Sequence, residues 1–131
     1  KTLDKKAEEY IRDQGALPGF LGLYDFPATL CISVNEQVVH GIPNDKPLVD
    51  GDIISVDCGA LKNNYYGDHA FTFAVGEISD EIKKLLRITK ESLYLGIEQM
   101  VVGKQGQHGQ HHNKLRLRVV MLLRQVFWYR V

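Results

Sequence analysis

IISVDCGALKNNYYGDHAFTFAV, residues 53–75, decides the fold. Two β-rich runs, 53–60 and 65–75, flank the turn-like LKNN, which predicts an antiparallel hairpin. Side chains alternate faces along a strand, so Ile53, Ser55, Asp57 and Gly59 share one face. In a hairpin the numbers of paired residues have a constant sum, and a loop of even length makes that sum odd. Asp57 and Asp68 have an odd sum, so any even loop puts both carboxylates on one face. A two-residue loop at Lys62-Asn63 sets them directly opposite. One at Asn63-Asn64 makes them diagonal neighbours.

Like charges in cross-strand contact destabilise a sheet. Three readings of the pair follow. A hard cation bridges both carboxylates. One carboxyl carries a proton and the pair shares acid–base work. Or an odd loop or bulge separates them and each is solvated. Two oxygens complete no metal's coordination shell, so further ligands must come from elsewhere. His40 ends a predicted strand. His69 follows Asp68 and points to the opposite face of a strand. His108, His111 and His112 lie in GQHGQHHN, a metal-tract composition without a carboxylate or Cys beside it. Cys58 reads as a small apolar residue, whereas Cys31 sits where a loop meets a strand and can line a pocket.

Outward from the hairpin, residues 2–14 read as a helix with Leu3, Ala7, Tyr10 and Ile11 on one stripe and Gly15 to end it. Residues 15–29, rich in Gly and Pro, form an irregular loop whose aromatics Phe20, Tyr24 and Phe26 either line a pocket or cover the core edge. LCISVNEQVVH, residues 30–40, predicts a strand, a turn at Asn35-Glu36 and a second strand. GIPNDKPLVDGD is a loop. Ser79 is an N-cap with Asp80 and Glu81 behind it, and helical spacing runs on to about residue 101.

The chain has 131 residues, 44% hydrophobic and 24% charged, which fits one globular domain and excludes a disordered chain. Two Cys exclude a disulfide framework and make a reducing compartment the expectation. There is no run of about 18 apolar residues, the length of a membrane span, and KTLDKKAEEY does not read as a signal peptide. The net charge of zero hides a split. Residues 1–103 carry 10 basic and 16 acidic side chains, whereas 104–131 carry 6 basic and none acidic. Such asymmetry marks a basic arm, or a segment foreign to the fold before it.

FPATLCISVNEQVVHGIPNDKPLVDGDIISVDCGALKNNYYGDHAFTFAVGE, residues 26–77, resembles the type I methionine aminopeptidases through FP…CISVNE, VVHGIP, L.DGDI.SVD and GDHA.TF. Order and spacing fit over residues 3–103. The resemblance implies an α+β, pita-bread fold, mainly its first α/β half with an antiparallel sheet. It implies metal-dependent hydrolysis that removes the N-terminal methionine of nascent proteins in the cytoplasm. The cofactors implied are two divalent metal ions of cobalt, manganese, iron or zinc type. They activate a water and polarise the carbonyl. By resemblance Asp57 chelates one ion and Asp68 bridges both. His40 contacts substrate near the scissile amide, and Phe26 and Cys31 line the methionine pocket. The partner implied is a peptide or nascent-chain N-terminus, with no membrane, the family being monomeric or ribosome-associated.

The family's remaining ligands, a His in a GHG-type motif and two Glu, have no counterpart here. No Glu follows Glu98. The chain is therefore expected to be an inactive or incomplete first-half fragment, with no catalytic acid or base assigned within it. Residues 1–103 form a partial catalytic domain, and 104–131 a basic tail unlike the family, either native or frameshifted. A non-catalytic pita-bread binding module is the alternative. A nucleic-acid module rests on the tail alone.

Overall fold

The computed structural model describes residues 1–98. Two units divide the chain after Ile78. The first begins with helix α1, Thr2–Asp13. Ile11 is its buried residue, while Leu3 and Tyr10 of the predicted stripe are half or more exposed. Gly15 ends the helix as expected, at φ 68 with its N–H on the Arg12 carbonyl.

Strands β1 (Leu17–Pro18), β2 (Leu30–Val34), β3 (Ile53–Lys62) and β4 (Tyr65–Ala74) form one antiparallel sheet. β4 pairs with β3 along its whole length, from Ile53↔Ala74 to Lys62↔Tyr65. β2 pairs with residues 54–58 of β3 and β1 with residues 60–61. The β3–β4 loop is Asn63-Asn64, with φ 51 and 65. Two consecutive left-handed residues make a turn whose twist matches the strands, and Asn tolerates that conformation better than most residues. The connection is thus even, and the sheet face is fixed by parity.

The second strand predicted within 37–40 is absent, for a reason visible in the hydrogen bonds of β2. The N–H groups of Leu30, Ile32 and Val34 point away from β3. They donate to Asp4 Oδ1 at 2.8 Å, the Gly41 carbonyl at 2.7 Å and Gln37 Oε1 at 3.1 Å. Two side chains and one loop carbonyl replace a neighbouring strand, satisfying the edge without continuing the sheet. His40, at φ 56, also leaves the extended region. Gly41 lies so close to this edge that a Cβ would fall within 2.9 Å of Ser33 Cα and closer still to the Ile32 carbonyl.

Leu30 and Ile54 are buried on one face of the sheet and Cys31 on the other. Helix α2, Asp80–Glu98, belongs to the second unit. Ser79 caps it as expected, its Oγ accepting the Ile82 N–H at 3.3 Å. The basic tail 104–131, with His108, His111 and His112, lies outside the described residues.

Candidate functional site

β3 carries Asp57 opposite Ala70 of β4 and opposite Cys31 of β2. Asp68 faces Gly59, two positions along from Ala70. Asp57 and Asp68 are therefore diagonal neighbours on one face, as an Asn63-Asn64 loop requires, with Cys31 beside Asp57. The same face carries Ser55 and Thr72, whose hydroxyls share a hydrogen bond at 2.8 Å. The next position on β2, Ser33, accepts the Gly41 N–H at 3.1 Å. The Phe20 ring lies over Gly59, within 3.0 Å of where a Cβ would stand, so only Gly leaves room for that ring beside Asp68.

Asp57 is half-buried and Asp68 exposed. Burial, the charge of Asp68 and a hydrogen bond between the two carboxyls push the Asp57 carboxyl up to about 7. Against these, the Cys58 backbone N–H stabilises the carboxylate. Asp57 Oδ1 is buried and has no hydrogen-bond partner, a property it shares with Thr29 Oγ1 among the described residues. An unpaired oxygen beside a second carboxylate is costly. Either a proton or a cation relieves it. Cys31 is 6% exposed, and burial first, then both carboxylates, push its thiol up to about 12. It stays a neutral, apolar wall.

The remaining expected site residues are less tightly drawn in. Phe26 is half-buried at the end of the 19–26 turn. Tyr24, at φ 49, is 85% exposed. His40 is exposed, and Gly41 beside it is held to β2 at both its N–H and its carbonyl. His69 faces Cys58. With Val56, Phe71 and Phe73 they line a shallow depression on the opposite side of the hairpin. Among the described residues no three His, Cys, Asp or Glu gather as a metal shell.

The Metallopeptidase family M24 profile matches residues 1–114. The chain belongs to that family. It is 57% identical over 100 residues to a methionine aminopeptidase of Clostridium perfringens, covering 76% of this chain and 40% of that protein. Identity to methionine aminopeptidase 1 of Bacillus subtilis is 53% over 104 residues, covering 79% and 42%. Among solved structures, the Rickettsia prowazekii methionine aminopeptidase matches with TM-score 0.72 and 35% identity over 73% of this chain and 39% of that one. The Thermotoga maritima methionine aminopeptidase matches with TM-score 0.67 and 41% identity over 71% and 37%. The chain spans about 40% of the length of these M24 relatives. Its fold is α+β, of the pita-bread type its structural neighbours have. No helix among the described residues is long and apolar enough to cross a membrane.

Proposed function

We propose that this chain is part of a methionine aminopeptidase, hydrolysing the amide after the N-terminal methionine of nascent proteins in the cytoplasm. The observation that carries the reading is the Asp57–Asp68 pair, two carboxylates side by side on one sheet face, one with a buried unpaired oxygen.

The donor set suits hard or borderline divalent cations, and oxygen ligands accept cobalt, manganese, iron or zinc without choosing among them. Asp57 and Asp68 would be among the residues that hold two such ions. Bound there, the ions would supply a nucleophilic water at neutral pH and polarise the substrate carbonyl. Cys31 offers a soft, uncharged surface to a thioether, and Phe26 an aromatic one. His40 contacts the substrate near the scissile amide. Residues 1–103 would then be the partial catalytic domain and 104–131 a basic tail without the family's motifs.

A second reading, a pita-bread module that binds without catalysis, is favoured by one observation. The described residues hold two carboxylates where a two-metal site needs more ligands. Methionine release from Met-Ala-Ser with added cobalt or manganese separates the two. Release that is selective for Met over a Leu N-terminus and lost on Asp68→Asn supports the hydrolase. Turnover of the 131-residue chain is expected to be small. Release that survives both Asp57→Asn and Asp68→Asn overturns the assignment. Absence of both release and any cation binding that depends on Asp57 and Asp68 favours the binding module.

A further inference from the structure

Asp4 lies on α1, far from the carboxylate pair in sequence. Its Oδ1 nevertheless accepts two consecutive backbone N–H groups, from Thr29 at 3.0 Å and from Leu30 at 2.8 Å. Both donors are deeply buried, Thr29 at 0% and Leu30 at 5% exposure. The bend at 28–29 is where the aromatic loop enters β2. One carboxylate oxygen therefore fixes the point where two proposed pocket walls diverge. Phe26 lies three residues before Thr29, and Cys31 two residues after it, across from Asp57.

The other outward N–H groups of β2 take loop partners whose positions depend on the turn after the strand. Asp4 is different: it belongs to a preformed helix and ties that helix to the start of the strand. Glu8 and Arg12 of the same helix pair with each other at 2.8 Å and leave Asp4 to this contact. A carboxylate in the first turn of a helix is ordinarily explained by the positive helix end. Here its oxygen is spent on a second element.

We propose that Asp4 is a positioning residue that holds the entry of β2, and with it Cys31 and Phe26, in register with the Asp57–Asp68 face. The consequence for substrate rests on the methionine-pocket reading, but the positional claim does not. An acceptor oxygen at this place is what the two N–H groups require. Asp4→Asn should preserve the arrangement and Asp4→Ala should release it.

The test uses the full chain in a Cys58→Ser background, so that Cys31 is the single thiol. Three readouts are taken together: labelling of Cys31 by a disulfide reagent, amide exchange at Thr29 and Leu30, and amide exchange along β3 and β4. Asp4→Ala should speed Cys31 labelling and exchange at Thr29 and Leu30 by at least about tenfold, the scale on which losing local hydrogen bonds shifts a local opening equilibrium. Exchange along β3 and β4 should not move. Asp4→Asn should stay within about threefold of the parent, since its amide oxygen still accepts.

Cys31 labelling unchanged in Asp4→Ala overturns the proposal. So does β3–β4 exchange rising in step with Thr29 and Leu30, or an Asp4→Ala chain that does not fold, because either makes the role global stability rather than position. Asp4→Asn behaving like Asp4→Ala overturns it as well. No readout requires turnover, so its failure leaves the proposed reaction standing, and failure of that reaction leaves this result intact.

Discussion

Replacing Asp57 by Asn should make the chain more stable above neutral pH and abolish a slope that the parent shows. The Asp57 carboxyl is raised from 3.8 to about 7, first by burial and then by Asp68. A raised acid binds more protons folded than unfolded between those two values. Stability drawn from this group is fully present below the unfolded value and lost as pH rises through the folded one. One pKa unit is worth about 1.4 kcal/mol. The full shift would amount to about 4 kcal/mol, and solvent screening at a half-exposed carboxyl reduces this to about 2 kcal/mol. Urea unfolding of the cation-free chain followed by circular dichroism at pH 5 and pH 8 measures it. Because pH 5 already lies inside that window, the parent should lose about 1 kcal/mol between the two relative to Asp57→Asn. Added manganese should restore the loss at pH 8 in the parent alone, since binding to the folded state stabilises it. Equal pH slopes for parent and variant would refute the electrostatic coupling of the two carboxyls.

Gly41→Ala should destabilise by about 2 kcal/mol, because its Cβ would press on the backbone of Ile32 and Ser33 rather than on a movable side chain; an unchanged urea midpoint would contradict the close approach. Tyr24→Gly should stabilise by about 0.5 kcal/mol, since relief of the left-handed φ of 49 outweighs the added unfolded-state entropy and the ring is 85% exposed. A loss of stability there would show that the ring makes contacts that matter. Asn64→Val should cost about 1 kcal/mol at φ 65 and lower the thermal midpoint, an effect absent in Asn64→Gly.

The hairpin was legible because its information is local. Alternation and an even turn place Asp57 and Asp68 on one face whichever of the two loops forms, and the Asn63-Asn64 turn then selects the diagonal pairing. Cys31 was legible as a pocket residue but not as the neighbour of Asp57, since the β2–β3 register is set across a loop of 18 residues, 35–52. The adjacent β-branched pair Val38-Val39 looked like a strand, yet the outward N–H groups of β2 were already taken by Asp4, Gly41 and Gln37. The Asp4 contact joins residues 25 and 26 positions apart, and no periodicity reports such a pairing. Tyr10 fits a helical stripe and stays 68% exposed, because spacing identifies a face without saying how wide a strip of it is covered.

Manganese binding to the full chain at pH 8, followed by titration with electron paramagnetic resonance, tests the central claim that Asp57 and Asp68 together form a cation site. Asp57→Asn and Asp68→Asn should each weaken binding by at least about tenfold, as loss of even indirect ligand support does. His69→Ala, on the opposite face, should leave it unchanged. Binding indifferent to both Asp substitutions, or lost with His69, would contradict the account.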